Sequence, residues 1–206
     1  MLRVKFLLLV GFALSPVLTG CGRGPARIDA PEINLESAAD KAIELYDSNN
    51  DNSLNEAELT RCPGIRSMVS LYDTDGNKSV DRTEIAHRLG ELFKNRVGLT
   101  QLRSRVTYRG RPLSDANIVF EPESYLGDDV QTAQGTTNSN GSAQMGIAED
   151  QLPENVRKMK LVQYGTYKVR ITHPKIQLPA KYNSETTLGY ETKMGDPFAT
   201  FALTDG

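Results

Sequence analysis

Two runs of twelve residues hold most of the side chains that could do chemistry in this chain. The first is Asp47-Ser48-Asn49-Asn50-Asp51-Asn52-Ser53-Leu54-Asn55-Glu56-Ala57-Glu58, and the second is Asp73-Thr74-Asp75-Gly76-Asn77-Lys78-Ser79-Val80-Asp81-Arg82-Thr83-Glu84. Asp or Asn stands first, third and fifth in each. An apolar residue, Leu54 or Val80, stands eighth, and a glutamate stands last. Such a pattern suits a hard divalent cation, which gathers six to eight oxygens at about 2.3–2.6 Å inside a wrapping loop. Asp, Asn and Ser also crowd into metal-free turns. Two tandem runs, each closed by Glu and flanked by helical periodicity, weigh against that alternative.

Both runs resemble the EF-hand loop. The resemblance implies two Ca²⁺ sites. Side-chain oxygens would come from Asp47, Asn49 and Asp51 in one and from Asp73, Asp75 and Asn77 in the other. Ser53 and Ser79 would give backbone carbonyls, Asn55 and Asp81 would act at the ninth position, often through water, and Glu58 and Glu84 would close each site with both oxygens. It also implies that Leu54 and Val80 pair the loops and that Tyr46 and Tyr72 anchor the helices entering them. The sequence departs from the family at the sixth position, where glycine is usual. Asn52 tolerates a positive φ, whereas Lys78 there costs about 1–2 kcal/mol. The loops also begin closer together than in calmodulin-like pairs. The second offers four carboxylates against three in the first, and which binds more tightly stays open. A dockerin also carries two calcium loops, but here a well-formed helix precedes the first.

The segments around the loops read as helices. Ser37 is a candidate N-cap for Ala38–Tyr46, with Ala38, Ala42, Leu45 and Tyr46 on one apolar face. A second segment stops at Pro63-Gly64. A third, Ile65–Tyr72, places Ile65, Met68, Val69 and Tyr72 together, and a fourth, from Arg82 to Asn95, repeats Ile85, Leu89, Leu92 and Phe93. His87 falls on the outer face of the fourth as a solvated side chain.

Ahead of the helices, Arg3 and Lys5 precede a run from Phe6 to Leu18 that is nearly all apolar and too short for a permanent span. Leu18-Thr19-Gly20-Cys21 follows and resembles the bacterial lipobox. That resemblance implies cleavage before Cys21, lipidation of its thiol and an envelope location facing the periplasm or exterior; Gly22 rather than Asp after the Cys points to the outer membrane rather than the inner one in a Gram-negative cell. Residues 21–35, rich in Gly and Pro, then read as a flexible tether. With Cys21 lipidated, Cys62 has no partner for a disulfide and reads as a small apolar residue in a helix. The net charge of −2 and the absence of any basic run argue against nucleic acid as a general partner.

From Leu102 the period becomes two. Leu102, Ser104, Val106 and Tyr108 alternate with Arg103, Arg105 and Thr107; Ala116, Ile118 and Phe120 repeat the pattern, and Tyr167, Val169 and Ile171 alternate with Lys168, Arg170 and Thr172. Phe198, Thr200 and Ala202 close the series. Turns fall at Arg109-Gly110-Arg111-Pro112, Asn138–Gly141 and Tyr164-Gly165. This predicts an antiparallel sandwich of about seven short strands.

Val106–Phe120, Gly135–Gly141 and Gly165-Thr166-Tyr167-Lys168-Val169 resemble the opening hairpin, the "G-x-T-D-x-x-G" turn and the "G-x-Y-x-V" strand of carboxypeptidase-regulatory-like, transthyretin-like domains. Leu178–Tyr182 is similar to versions in planctomycete-type lipoproteins. Such modules imply a stabilising or binding role without catalytic residues.

The expected fold is therefore α+β in two domains: signal peptide 1–20, lipidated tether 21–35, EF-hand pair 36–97, and an antiparallel seven-stranded β-sandwich 98–206. No nucleophile elbow, phosphate loop, zinc spacing or HExxH appears, so no catalytic residue is expected. The expected function is calcium-binding scaffolding in the envelope, with a protein or polysaccharide partner. The alternative is an accessory subunit of an envelope hydrolase, with substrate contacts on the sandwich loops.

Overall fold

A computed structural model describes residues 31–94, 98–192, 195 and 197–205. Cys21, the expected signal peptide and most of the expected tether lie outside them. No described helix is long and apolar enough to cross a membrane.

The protein mixes helices with largely antiparallel sheets. Helix α1 spans Leu35–Tyr46, three residues earlier at its start than the periodicity suggests, because Asn34 rather than Ser37 is the N-cap and accepts from the Ser37 N–H at 3.0 Å. Its buried residues are Ala38, Ala39, Ala42 and Tyr46. Leu45, expected on that face, is 38% exposed, because it falls on the far edge of the helical stripe. Small alanines let α1 lie close against α5 (Arg82–Phe93), whose Ile85, Leu89 and Leu92 are buried.

Between these lie three single turns: α2 (Glu56–Leu59), α3 (Pro63–Arg66) and α4 (Val69–Tyr72). The third expected helix is thus divided at Ser67-Met68. Pro63 occupies the first turn of α3, where its missing N–H costs nothing. Cys62 caps α3 rather than lying in a helix, and it is fully buried.

Two larger sheets follow. The first has the order β12-β11-β6-β7-β9, built from Gly189–Glu191, Thr166–Thr172, Asn117–Pro122, Ala133–Thr136 and Gly146–Ile147. The second centres on β4 (Arg103–Tyr108), with β13 (Phe198–Leu203) on one edge. On the other edge are β8 (Ser142–Gln144) and β5 (Arg111–Pro112). A small pair, β3 (Leu99–Thr100) with β10 (Val162–Gln163), completes the ladders. Phe120 of the first sheet meets Phe201 of the second at 6.1 Å, edge to face.

Two features depart from an antiparallel seven-stranded arrangement. The described residues form five strands in one sheet and four in the other, and β13 pairs β4 in parallel along its whole length. Period-two alternation carries no information on strand direction. The parity of β13 is also reversed: Phe198, Thr200 and Ala202 point outward while Ala199, Phe201 and Leu203 are buried. Parallel partners share a face, and Phe201 opposite Val106 and Leu203 opposite Tyr108 bring the more apolar set inward.

The helices and sheets share one continuous buried core. Turn α3 lies on β12 and β11, and α1 lies on the 3₁₀ turn Ser124–Leu126. Glycine is required at that contact. A Cβ on Gly189 would come within 1.7 Å of the Pro63 carbonyl oxygen, and one on Gly64 within 2.7 Å of Glu123 Cγ.

Candidate metal centre

The two loops share one backbone-turning pattern of hydrogen bonds. In the first, Asp47 Oδ1 accepts from the Asn50 N–H (2.7 Å) and its Oδ2 from the Asn52 N–H (2.9 Å). In the second, Asp73 Oδ1 accepts from Gly76 (2.8 Å) and its Oδ2 from Lys78 (3.0 Å). Asn49 Oδ1 accepts from the Asp51 N–H and Asp75 Oδ1 from the Asn77 N–H, both at 3.0 Å. Asp51 and Asn77 each accept from the N–H two residues on, at Ser53 and Ser79. These bonds turn the chain tightly, and the cost appears as positive φ at Asn50, Asn52, Gly76 and Lys78. Lys78, at 70°, is the strained member.

Each closing glutamate is held from both ends. Glu58 Oε1 accepts from the Ser48 N–H (2.8 Å) and hydroxyl (2.9 Å), and Oε2 accepts from the Asn55 N–H (3.0 Å). Glu84 repeats this with Thr74 N–H (2.8 Å), its hydroxyl (3.1 Å) and Asp81 N–H (3.0 Å). The last of these bonds completes a capping box: Asn55 caps α2 and Asp81 caps α5. One residue pair therefore ends the loop and starts the helix. Burial pushes the Glu58 carboxyl up, but the donors at Asn55, Ser48 and Asn49 outweigh it and hold the group below its usual range. Amide and hydroxyl bonds from Asn49 and Ser53 lower Asp51 in the same way.

The ninth position differs between the loops. Asn55 Oδ1 accepts from both Ala57 and Glu58 N–H groups, so both of its lone pairs are engaged. Asp81 uses Oδ1 for Glu84 and keeps a second carboxylate oxygen.

Leu54 lies opposite Val80 and Ser53 opposite Asp81, in a two-residue antiparallel ladder of β1 (Ser53–Leu54) and β2 (Val80–Asp81). The loops sit back to back with both apolar residues fully buried. Asp73, Asp75 and Glu84 bring carboxylate oxygens within 4.8 Å of one another. No other acidic group of three converges so closely among the described residues. In the first loop Asn49 takes the place of Asp75, so an amide oxygen stands where the second loop has a carboxylate.

No family model, curated protein or solved structure matches this chain. Of the twelve residues proposed from the sequence, eleven have side chains hydrogen-bonded within their own loop, in turns and caps.

Tyr46 and Tyr72 were expected as anchors, but their partners Glu123 and Glu191, with Gly64 and Arg88, were invisible to local pattern. Tyr46, next to Asp47, donates its hydroxyl to Glu123 Oε2 at 2.8 Å, and Gly64 N–H donates to Glu123 Oε1 at 2.8 Å. Tyr72, next to Asp73, donates to Glu191 Oε2 at 3.0 Å, and Arg88 of α5 pairs with the same carboxylate. Both glutamates are fully buried side chains in the β part. Burial raises the Glu123 carboxyl against the pull of Lys168, 3.6 Å away. Burial works against the Arg88 charge, yet Glu191 more than offsets it. Burial, followed by Glu123, pushes the Cys62 thiol well up, which makes it unreactive. His87 is exposed, as expected.

Proposed function

We propose that this protein is a non-enzymatic, calcium-binding module of the cell envelope, held at the membrane through lipid on Cys21. On this reading the helix–loop–helix pair is an EF-hand pair taking one Ca²⁺ per loop. The β part is a transthyretin-like, carboxypeptidase-regulatory-like sandwich that serves as a binding or scaffolding surface.

The observation that carries the reading is the convergence of Asp73, Asp75 and Glu84 within a loop hydrogen-bonded like its twin. Three carboxylates so close repel one another strongly unless a cation neutralises them. No ion pair joins them to a lysine or arginine among the described residues. Each oxygen of Asp73 and Asp75, and Glu84 Oε2, takes a single donor and keeps a lone pair for a hard ion, while Glu84 Oε1 takes three donors. The all-oxygen donor set favours calcium over zinc or copper. In a compartment with about millimolar calcium, sites of about 10⁻⁴ M affinity are filled. The metal then acts as a brace for α1, α5 and the sheet beneath them.

A calorimetric Ca²⁺ titration of the full chain tests this, repeated with Glu58→Gln and Glu84→Gln. One binding event should disappear with each substitution. Calcium at about 100 times its dissociation constant should stabilise the fold by about 2.7 kcal/mol per site. Equal melting temperatures in chelator and in excess Ca²⁺ would overturn the proposal. The anchor is tested separately: Cys21→Ala should move the protein out of the membrane fraction.

A further inference from the structure

The outer face of the second sheet carries a feature that neither loop touches. Because β13 runs parallel to β4 and β8 runs antiparallel to it, six side chains fall into two rows across the strands. Phe198, Arg103 and Gln144 form one row and Thr200, Arg105 and Ser142 the next. The rows are about 7 Å apart, two residues along a strand, and neighbouring strands about 4.8 Å. Together they line an open groove of about 510 Å³. A second depression of about 220 Å³ continues it past the start of β4, sharing Arg103, Gln144 and Phe198 and adding Gln101 and Pro197.

The groove's chemistry is one-sided. No Asp or Glu lines either part. Elsewhere on the β part Arg109 pairs with Asp205 and Arg170 with Glu121, while Arg111 and Arg157, like the groove arginines, join no ion pair with a described residue. Arg103 and Arg105 form no ion pair with any described residue, and Arg103 Nε reaches only Gln144 Oε1, at 3.4 Å. Two guanidinium groups side by side on an otherwise acidic protein make a local positive site. Guanidinium is the group best shaped to grip a carboxylate with paired hydrogen bonds. Around it stand hydroxyls and an amide, and Phe198, 57% exposed, offers an aromatic face at one edge.

We propose that this groove binds an acidic glycan, a sugar polymer carrying carboxylates, laid along the outer face of the second sheet. The arginines take the uronate carboxylates. Thr200, Ser142 and Gln144 exchange hydrogen bonds with ring hydroxyls, and the C–H face of a pyranose packs on Phe198. The continuous, open shape admits a chain rather than enclosing a small molecule. A nucleic acid would share the charge, but the protein is net acidic and no basic run extends the contact beyond these two arginines. This names the partner of the binding module proposed above and rests on that reading only in treating the β part as a non-catalytic surface.

The test is calorimetry on the full chain in Ca²⁺-containing buffer at about 0.15 M salt, the ionic strength at which exposed charges are screened beyond about 8 Å. The probes are a galacturonic acid tetramer, maltotetraose as a neutral sugar of equal length, and a single-stranded thymidine tetranucleotide as another polyanion. The expected result is saturable binding of the uronate tetramer, at least about tenfold weaker binding of the nucleotide, and none of maltotetraose. Arg103→Gln with Arg105→Gln should weaken uronate binding about tenfold or more. Phe198→Ala should weaken uronate binding while leaving Ca²⁺ uptake unchanged. No uronate binding, equal binding to the arginine double variant, or tighter binding of the nucleotide would each overturn the proposal. If the Glu58→Gln and Glu84→Gln titrations fail while uronate still binds, the calcium reading falls and this one stands.

Discussion

The phenol of Tyr46 donates a 2.8 Å hydrogen bond to the buried carboxylate of Glu123, and so ties the residue before the first loop to the first sheet. The second loop repeats the device, with Tyr72 donating to Glu191 at 3.0 Å. Each aromatic therefore works at two levels. Its ring fills the helical core, and its hydroxyl satisfies an acid that would otherwise be stranded in the β part. Whatever orders the loops also orders these two links, since Asp47 and Asp73 are their immediate neighbours in the chain.

Removing either link should be costly. Tyr46→Phe and Tyr72→Phe each leave a buried carboxylate oxygen short of a donor, which costs about 1–3 kcal/mol. Urea denaturation in saturating Ca²⁺ measures this. The coupling is read by amide exchange: in chelator the Gly64 N–H, bonded to Glu123 Oε1, should exchange faster. Val169 and Ile171, inside the first sheet, should stay protected. Equal protection of Gly64 with and without Ca²⁺ would separate the loops from the buried acids.

Gly189 permits the close approach of α3 to β12. In Gly189→Ala the new methyl would meet the Pro63 carbonyl, and backbone on both sides has little room to yield. We expect a loss near the upper end of about 1–3 kcal/mol. Gly90→Ala is the control, because its Cβ would meet only Leu35 Cδ1 at 3.6 Å. Relief of glycine's entropy in the interior of α5 should raise stability by about 0.5–1 kcal/mol. If both variants melt alike, the helical part does not bear on Gly189.

The loops were legible in the sequence because their chemistry is local. Asp47 and Glu58 act within one short segment, and alternation in Thr166–Thr172 reports directly which side chains face inward. The docking was not legible. Tyr46 and Glu123 are 77 residues apart, and a glutamate beside Pro122 looks like any solvated acid until its partners are in place. The last strand misled for a related reason. Phe198 begins an apolar alternation, but its face is set by its register with Arg103, not by its own hydrophobicity. The same pairing gives the outer face of the second sheet an aromatic ring beside two arginines.

The sixth loop position offers a reciprocal exchange. Lys78 holds φ at 70° and Asn52 at 63°, and only the lysine lacks the short polar side chain that eases this conformation. Lys78→Asn should stabilise the Ca²⁺-loaded protein by about 1 kcal/mol, and Asn52→Lys should destabilise it by a similar amount. Removing a positive charge beside Asp73, Asp75 and Glu84 should also tighten the second site. Paired urea melts and titrations check both. A Lys78→Asn protein no more stable than the parent would mean that the left-handed residue carries no strain.

The pH dependence of stability should carry the signature of Glu123. Burial holds this carboxyl above its ordinary value of 4.5, with Lys168, the Gly64 N–H and the Tyr46 hydroxyl opposing it. The native state then binds the Glu123 proton more tightly than the unfolded chain does. Its contribution is complete below about pH 4.5 and is lost as pH rises through the raised value. Glu58 and Asp51, both held low, act with the opposite sign and lose their contribution as pH falls. The comparison of interest is therefore between the parent and Glu123→Gln, in which only the Glu123 component is removed. Going from pH 4.5 to pH 7, the parent should lose stability relative to the variant, whatever their absolute difference, because the glutamine has no proton to release. Denaturant melts of both proteins at the two pH values measure this. Parallel pH profiles would show that Glu123 titrates no differently folded than unfolded, and that its burial against Tyr46 and Gly64 is not maintained in solution.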